Sequence, residues 1–161
     1  MGSLLGSHLG SLSTRLLQLE KKPMRQNISG GSAYEPTIGF SRAVRVGNSV
    51  HLSGTGPVGA DNEDAAGQTR RIFDLASQAL GKAGARIEDV VRTRMYLTDR
   101  EDWEAVGRVH AEFFPQNRPA ATMVVVAALL DPRWRIEIEM DAVIEGTQEQ
   151  SPAAASLTLK P

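Results

Sequence analysis

The sequence predicts an α+β domain: a mixed β-sheet with two helices packed on one face. Three observations carry that expectation. Apolar residues recur at helical spacing in two segments, Thr69, Ile72, Phe73, Ala76, Ala79, Leu80 and Ala83 in the first and Trp103, Val106, His110 and Phe113 in the second. Ile136, Ile138, Met140 and Ala142 alternate strictly with Glu137, Glu139 and Asp141, the period of a strand with one buried face. Gly47-Asn48 separates two short β-type runs, as a two-residue hairpin turn requires. Helical stripes of this kind bury against the apolar face of a sheet, which defines the layers.

The chain has 161 residues, 41% of them hydrophobic, enough for one domain with a real core. Residues 1–33 differ in composition, with Gly, Ser and Leu dominating Met1 to Ser13. They hold no membrane-length apolar stretch and no secretory-signal pattern. Ser richness with Arg15 hints at an organellar presequence, but a flexible or misassigned N-terminal extension is the simpler expectation, with Met24 opening the part that resembles known proteins. The domain is expected over residues 34–145, followed by a Gln-, Ser- and Ala-rich flexible tail over 146–161.

Within the domain, strands are expected near Ser41 to Val46 and Ser49 to Thr55. Asp61-Asn62-Glu63-Asp64 supplies capping oxygens for the first helix, and Gly84 ends it. A strand over Val90 to Leu97 follows, then Thr98-Asp99-Arg100-Glu101, which resembles a capping box ahead of the second helix. Pro115 limits that helix. Thr122 to Leu130 is an apolar, β-branched run ended by Asp131-Pro132, as expected for a strand buried on both faces. The alternating strand closes the domain.

The charges are patterned too. Alternation places Val91, Thr93, Met95 and Leu97 on one face and Arg92 and Arg94 on the other, so the arginines can meet the carboxylates of Glu137, Glu139 and Asp141. Cross-strand ion pairing is the simplest account of each single carboxylate. Apolar positions such as Val125 are expected beside these charges, which suits a semi-polar subunit interface better than open solvent.

Several function classes are disfavoured. A net charge of −1 and few aromatics argue against a nucleic-acid surface. With no cysteine, disulfides, thiol catalysis and cysteine-ligated metals are excluded, and a reducing, cytoplasmic compartment is compatible. His8, His51 and His110 are scattered without ligand spacing, so no metal is expected. His51 shares a strand face with Ser53 and could reach a cleft, but the sequence identifies no acid partner for it. Gly54-Thr55-Gly56 lacks the Lys-Ser/Thr of a phosphate loop and reads more simply as a strand-ending turn.

Five segments together resemble one family: Gly39-Phe40-Ser41-Arg42-Ala43-Val44, Val50 through Pro57, Gly84 through Asp99, Arg118-Pro119-Ala120, and Ile136-Glu137-Ile138-Glu139. The stretch from about Ile38 to Ile144 is similar to the Rid family of reactive-intermediate deaminases, also called the YjgF family, with its chorismate-mutase-like fold. The resemblance implies a cofactor-free homotrimer with ligand clefts between neighbouring subunits. It also implies that Glu137 is the catalytic carboxylate, positioning a water, and that Ser53, Gly54, Thr122, Phe40 and Ala121 occupy substrate-binding positions. The chain departs from the family pattern at Ala121, where an arginine would grip a substrate carboxylate. Phe40 stands in place of a tyrosine, Gly107 of an asparagine and Met123 of a cysteine. Arg118, Arg133 and Arg135 are the nearby cations, each read most simply as a surface residue.

The resulting expectation is binding, and hydrolysis by deamination, of a small imine, enamine or other carbonyl metabolite, without a membrane or nucleic-acid partner. A non-catalytic metabolite-binding or interaction trimer is the alternative. An endoribonuclease comes third, because it needs a basic cleft.

Overall fold

The computed structural model describes residues 25–145, so the expectations for residues 1–24 and for the 146–161 tail lie outside the described residues. Strands β1 (Arg25–Ile28), β2 (Ala43–Val46), β3 (Ser49–Thr55), β4 (Val90–Leu97), β5 (Ala120–Val125) and β6 (Ile136–Val143) form a single sheet in the order β1-β2-β3-β6-β4-β5. All neighbours are antiparallel except β4 and β5, so the sheet is mixed. Helices α1 (Tyr34–Ile38), α2 (Ala65–Lys82) and α3 (Trp103–Phe113) complete the fold. The α3 segment is the crossover that parallel pairing of β4 and β5 requires. β1 and the turn after it lie ahead of the boundary that composition drew at residue 34.

Local chemistry sets the helix ends. Asp64 accepts a hydrogen bond from the Gly67 amide at 2.8 Å and so caps α2, while Gly84, at φ 78°, takes the left-handed conformation just beyond it. Asp99 accepts from Glu101 N at 2.9 Å, opening a 3₁₀ turn (Arg100–Asp102) that leads into α3. Gly47, at φ 59°, makes the hairpin turn that sets Val46 opposite Ser49. Once the ends are fixed, the stripes face inward. Ile72, Phe73, Ala76 and Leu80 of α2 and Val106 and Val109 of α3 are buried with Leu52, Met95, Leu97, Ile136, Ile138 and Met140 of the sheet. His110 packs edge-on against Phe73 and bonds Thr93 Oγ1 through Nε2 at 2.9 Å, so it belongs to the core.

Four expectations need correction. The run from Thr122 to Leu130 is not a strand buried on both faces: β5 ends at Val125 and forms the sheet edge, with its residues largely exposed and Leu130 96% exposed in the following loop. Apolar periodicity cannot tell a strand covered by its own chain from one left uncovered. Val91 is 46% exposed rather than on the core face, because the β4–β6 register shifts between Val90 and Arg92. Register also sets Val125 beside Leu97, on the helix side, so Val124, opposite Tyr96, is the apolar residue next to the charges. Trp103, on the expected stripe of α3, is 59% exposed at the helix start.

The loop between β5 and β6 is tied down from beneath. Gln68, fully buried on α2, donates through Nε2 to the carbonyls of Asp61, Glu63 and Arg133 at 3.1, 3.2 and 3.0 Å, and its Oε1 accepts from Arg135 N at 2.7 Å. A buried amide with both ends satisfied holds this loop in one place.

Candidate functional site

Antiparallel pairing of β6 between β3 and β4 gathers the polar face of the sheet. Register sets Glu137 opposite Tyr96, Glu139 opposite Arg94 and Asp141 between His51 and Arg92. Most of these groups pair. Arg94 Nη1 lies 3.1 Å from Asp141 and 3.7 Å from Glu139, the Tyr96 hydroxyl donates to Glu139 Oε1, and His51 Nδ1 is 2.7 Å from Asp141 Oδ1. The acid partner that the sequence could not assign to His51 is therefore Asp141, and cross-strand pairing accounts for Glu139 and Asp141. The hydrogen bond to Glu139 pushes the Tyr96 phenol above its ordinary range.

Glu137 is the exception among the three carboxylates. Among the described residues its carboxylate makes no ion pair, and burial raises its pKa, opposed by the charge of Arg42 and reinforced by Glu139. It lines two concavities at once. One is a long open groove of about 860 Å³ whose walls include Phe40, Arg42, Gly54, Gly56, Trp134 and Glu137, and the other is a smaller cleft of about 370 Å³ shared with Gly54, Tyr96 and Glu139. A half-buried carboxyl poised between two cavities can exchange a proton with a bound molecule, which a solvent-paired one does less well.

The end of β3 shapes the groove around it. The β3–β6 register shifts between Leu52 and Thr55, taking Ser53 and Gly54 out of the regular ladder. A Cβ on Gly54 would collide with the Glu137 carboxylate, so only glycine lets strand and acid approach this closely. At Gly56 a Cβ would overlap the Trp134 ring, whose Nε1 donates to Asp61 Oδ1 at 2.8 Å and lowers that carboxyl's pKa. Behind the ladder, Arg42 Nη1 donates to Gly54 O at 2.8 Å and to Ser53 Oγ and Thr55 Oγ1 at 3.2 Å each. The guanidinium lies over the Phe40 ring, 5.9 Å from its centroid.

Of the predicted site residues, Phe40, Gly54 and Glu137 line the groove and Ser53 braces its Arg42 wall. Thr122 and Ala121 do not join them. They are exposed on edge strand β5, where register places them opposite Arg94 and Thr93, with two strands between them and β3. The neighbouring arginines also divide. Arg133 Nη2 is held by Asp131 at 2.6 Å, which brings that acid's pKa down to about 2, and Arg135 Nε by Asp102 at 2.7 Å, whereas Arg118 is exposed at φ 38°. Arg42, Trp134 and Tyr96 are groove or cleft residues that sequence reasoning did not single out. For Arg42 the signal was available, since alternation from buried Ala43 puts it on the face of Ser53. Trp134 sits in an aperiodic loop that offers none.

Comparison with known proteins places the family and the fold. Residues 30–144 match the family described as Endoribonuclease L-PSP. The chain is 35% identical over 108 residues to the 3-aminoacrylate deaminase RutC of Acinetobacter baylyi, covering 64% of this chain and 85% of that protein. It is 36% identical over 123 residues to a 2-iminobutanoate/2-iminopropanoate deaminase of Dermatophagoides farinae, covering 73% and 95%. A crystal structure of a Mycobacterium tuberculosis member of the YjgF/YER057c/UK114 family superposes with TM-score 0.71 at 47% identity, covering 74% of this chain and 99% of that one. With the family match spanning most of its length and its fold shared with solved members, this chain belongs to the Endoribonuclease L-PSP family, also known as the YjgF or Rid family.

Proposed function

We propose that this protein hydrolyses a small imine or its enamine tautomer, releasing ammonia, with Glu137 as the base. The observation that carries this reading is the Glu137 carboxyl itself, raised by burial, unpaired among the described residues and open to the groove beside Gly54. In its ionised form it accepts a proton from a water that adds to the imine carbon. The proton passes on to the nitrogen, giving a carbinolamine. Glu137 then takes the hydroxyl proton and returns it to the amino nitrogen as the C=O bond forms and the C–N bond breaks, so that a carbonyl compound and ammonia leave. Relatives with deaminase names support the reaction class.

The functional unit in this reading is a homotrimer. Thr122 and Ala121 lie on the far edge of the sheet from the β3 end, so a site using both segments takes them from different copies. The exposed β5 edge and Val124 offer the surface for that contact.

The direct test is hydrolysis of enzymatically generated 2-aminoacrylate and related imines by wild type, Glu137→Ala and Ala121→Arg. The reading expects activity in wild type that Glu137→Ala abolishes. Ala121 favours a second reading, a metabolite-binding trimer without chemistry, which expects no turnover in any of the three. Ribonuclease activity is supported least, since among the described residues Arg42 and Lys82 are the only cations lining a groove that also holds Glu137 and Asp131.

A further inference from the structure

The groove is larger than its reactive end. Its volume of about 860 Å³ falls in the range of pockets that hold drug-sized ligands, so an imine of a few carbons beside Glu137 would leave most of it unfilled. Apart from the Gly54 and Glu137 end, apolar side chains make much of the wall: Tyr34 and Ile38 from α1, Val58 from the turn after β3, and Leu130 and Trp134 from the loop before β6. Tyr34 and Ile38, one helical turn apart on the same face of α1, are 68% and 70% exposed, and Val58 and Leu130 are 57% and 96% exposed. Of the ten large hydrophobic residues left exposed among the described residues, these four line one groove, and apolar surface gathered in this way marks a binding site.

Trp134 is fixed as a wall of that groove. Its ring lies where a Cβ on Gly56 would stand, its Nε1 donates to Asp61 Oδ1 at 2.8 Å, and its backbone N–H donates to Asp131 O at 3.0 Å. With its single N–H given to Asp61, the indole offers the groove apolar ring surface alone. The α1 wall is held as well, because Glu35 accepts from the Gly30 amide at 2.7 Å. Neighbouring charges are turned aside: Lys82 Nζ donates to Ser29 O at 3.4 Å, and Asp131 is held by Arg133 at 2.6 Å.

We propose that this apolar arm is a side-chain subsite: the substrate carries a bulky aryl or branched alkyl substituent that lies against Trp134 and Ile38, with its C=N or C=O carbon toward Glu137. The inference rests on the groove being the ligand site and deepens that reading by naming the substituent. An apolar groove also suits a segment of protein, but such an occupant would close the approach to Glu137, with which the arm shares one cavity. A substrate's own substituent fills the arm and leaves the base in use. Because the wall is preformed, its burial costs no rearrangement, and binding keeps most of the transfer free energy.

The test compares butanone and 4-phenylbutan-2-one, neutral ketones that differ by a phenyl ring, by NMR titration of wild type, Trp134→Ala and Ile38→Asp. Wild type is expected to bind the phenyl ketone about tenfold or more tightly than butanone, the worth of burying the ring, with shifts at the amides of both Gly54 and Ile38. Each substitution should remove most of that difference. Ile38 is exposed, so Ile38→Asp keeps the fold and carries the comparison if Trp134→Ala does not fold. No binding of the phenyl ketone, equal affinity of wild type for the two ketones, or a preference that persists in Ile38→Asp overturns the proposal. Light scattering then shows whether Ile38→Asp instead changes the oligomeric state, as it would if the arm were a contact between copies. Imine hydrolysis by the same proteins separates the two claims: phenyl preference in binding without turnover leaves the subsite without the deaminase, and turnover without that preference leaves the deaminase without the subsite.

Discussion

In the proposed reaction, Glu137 combines a stability cost with a chemical use. Because burial raises its pKa, the folded state holds the proton more tightly than the unfolded chain does. The stabilising contribution of that protonated form is complete at low pH and is lost as pH rises through the folded value. Glu137→Gln is therefore expected to raise the melting temperature at neutral pH, with the gain shrinking in acid, while abolishing turnover. Thermal melts at pH 4 and pH 7 check this. Gly54 is coupled to the same group: Gly54→Ala must displace the carboxylate and should lower kcat/KM by at least about tenfold, given how steeply catalysis depends on placement. Circular dichroism should remain that of the folded protein. The acid was legible in the sequence through its family-like Ile-Glu-Ile-Glu frame, but its freedom from pairing was not. Glu137, Glu139 and Asp141 look equivalent in one dimension, and only the register with Arg94, His51 and Tyr96 shows which of them are satisfied.

At the scale of elements, the alternating β6 and the stripe of α2 fold as their periodicity dictates, because burial of one face leaves no competing register. The failures fall where periodicity carries no information. A bulge turned Val91 outward, and the loop after β5 took its shape from contacts distant in sequence, chiefly the four hydrogen bonds of Gln68. Gln68→Ala leaves the Asp61, Glu63 and Arg133 carbonyls and the Arg135 amide without this partner and opens a cavity under the loop. We expect it to cost about 2–4 kcal/mol of stability, measured by denaturant unfolding. Because that loop carries Trp134 and leads into Glu137, activity should fall alongside. A matching loss in neither quantity would mean that the loop is held by its Asp131–Arg133 and Asp102–Arg135 pairs instead.

For the whole molecule, the proposed trimer gives the apolar Thr122-to-Leu130 run its place, as a surface between copies rather than a strand inside one. Edge strands with exposed apolar residues seek a partner, and Val124 lies beside the polar network that ends at Glu139. Val124→Lys should shift a trimer toward monomer in light scattering and reduce turnover without unfolding the subunit. A wild-type monomer at working concentration would remove the shared-cleft part of the proposal.

The pH dependence of kcat/KM for imine hydrolysis, corrected for the spontaneous reaction, most directly tests whether Glu137 is the base. The ionised form is needed, so activity should fall as pH drops through a value above the ordinary glutamate range, and Glu137→Gln should remove both the limb and the activity. Turnover that persists in Glu137→Gln with the same acid limb would contradict the account.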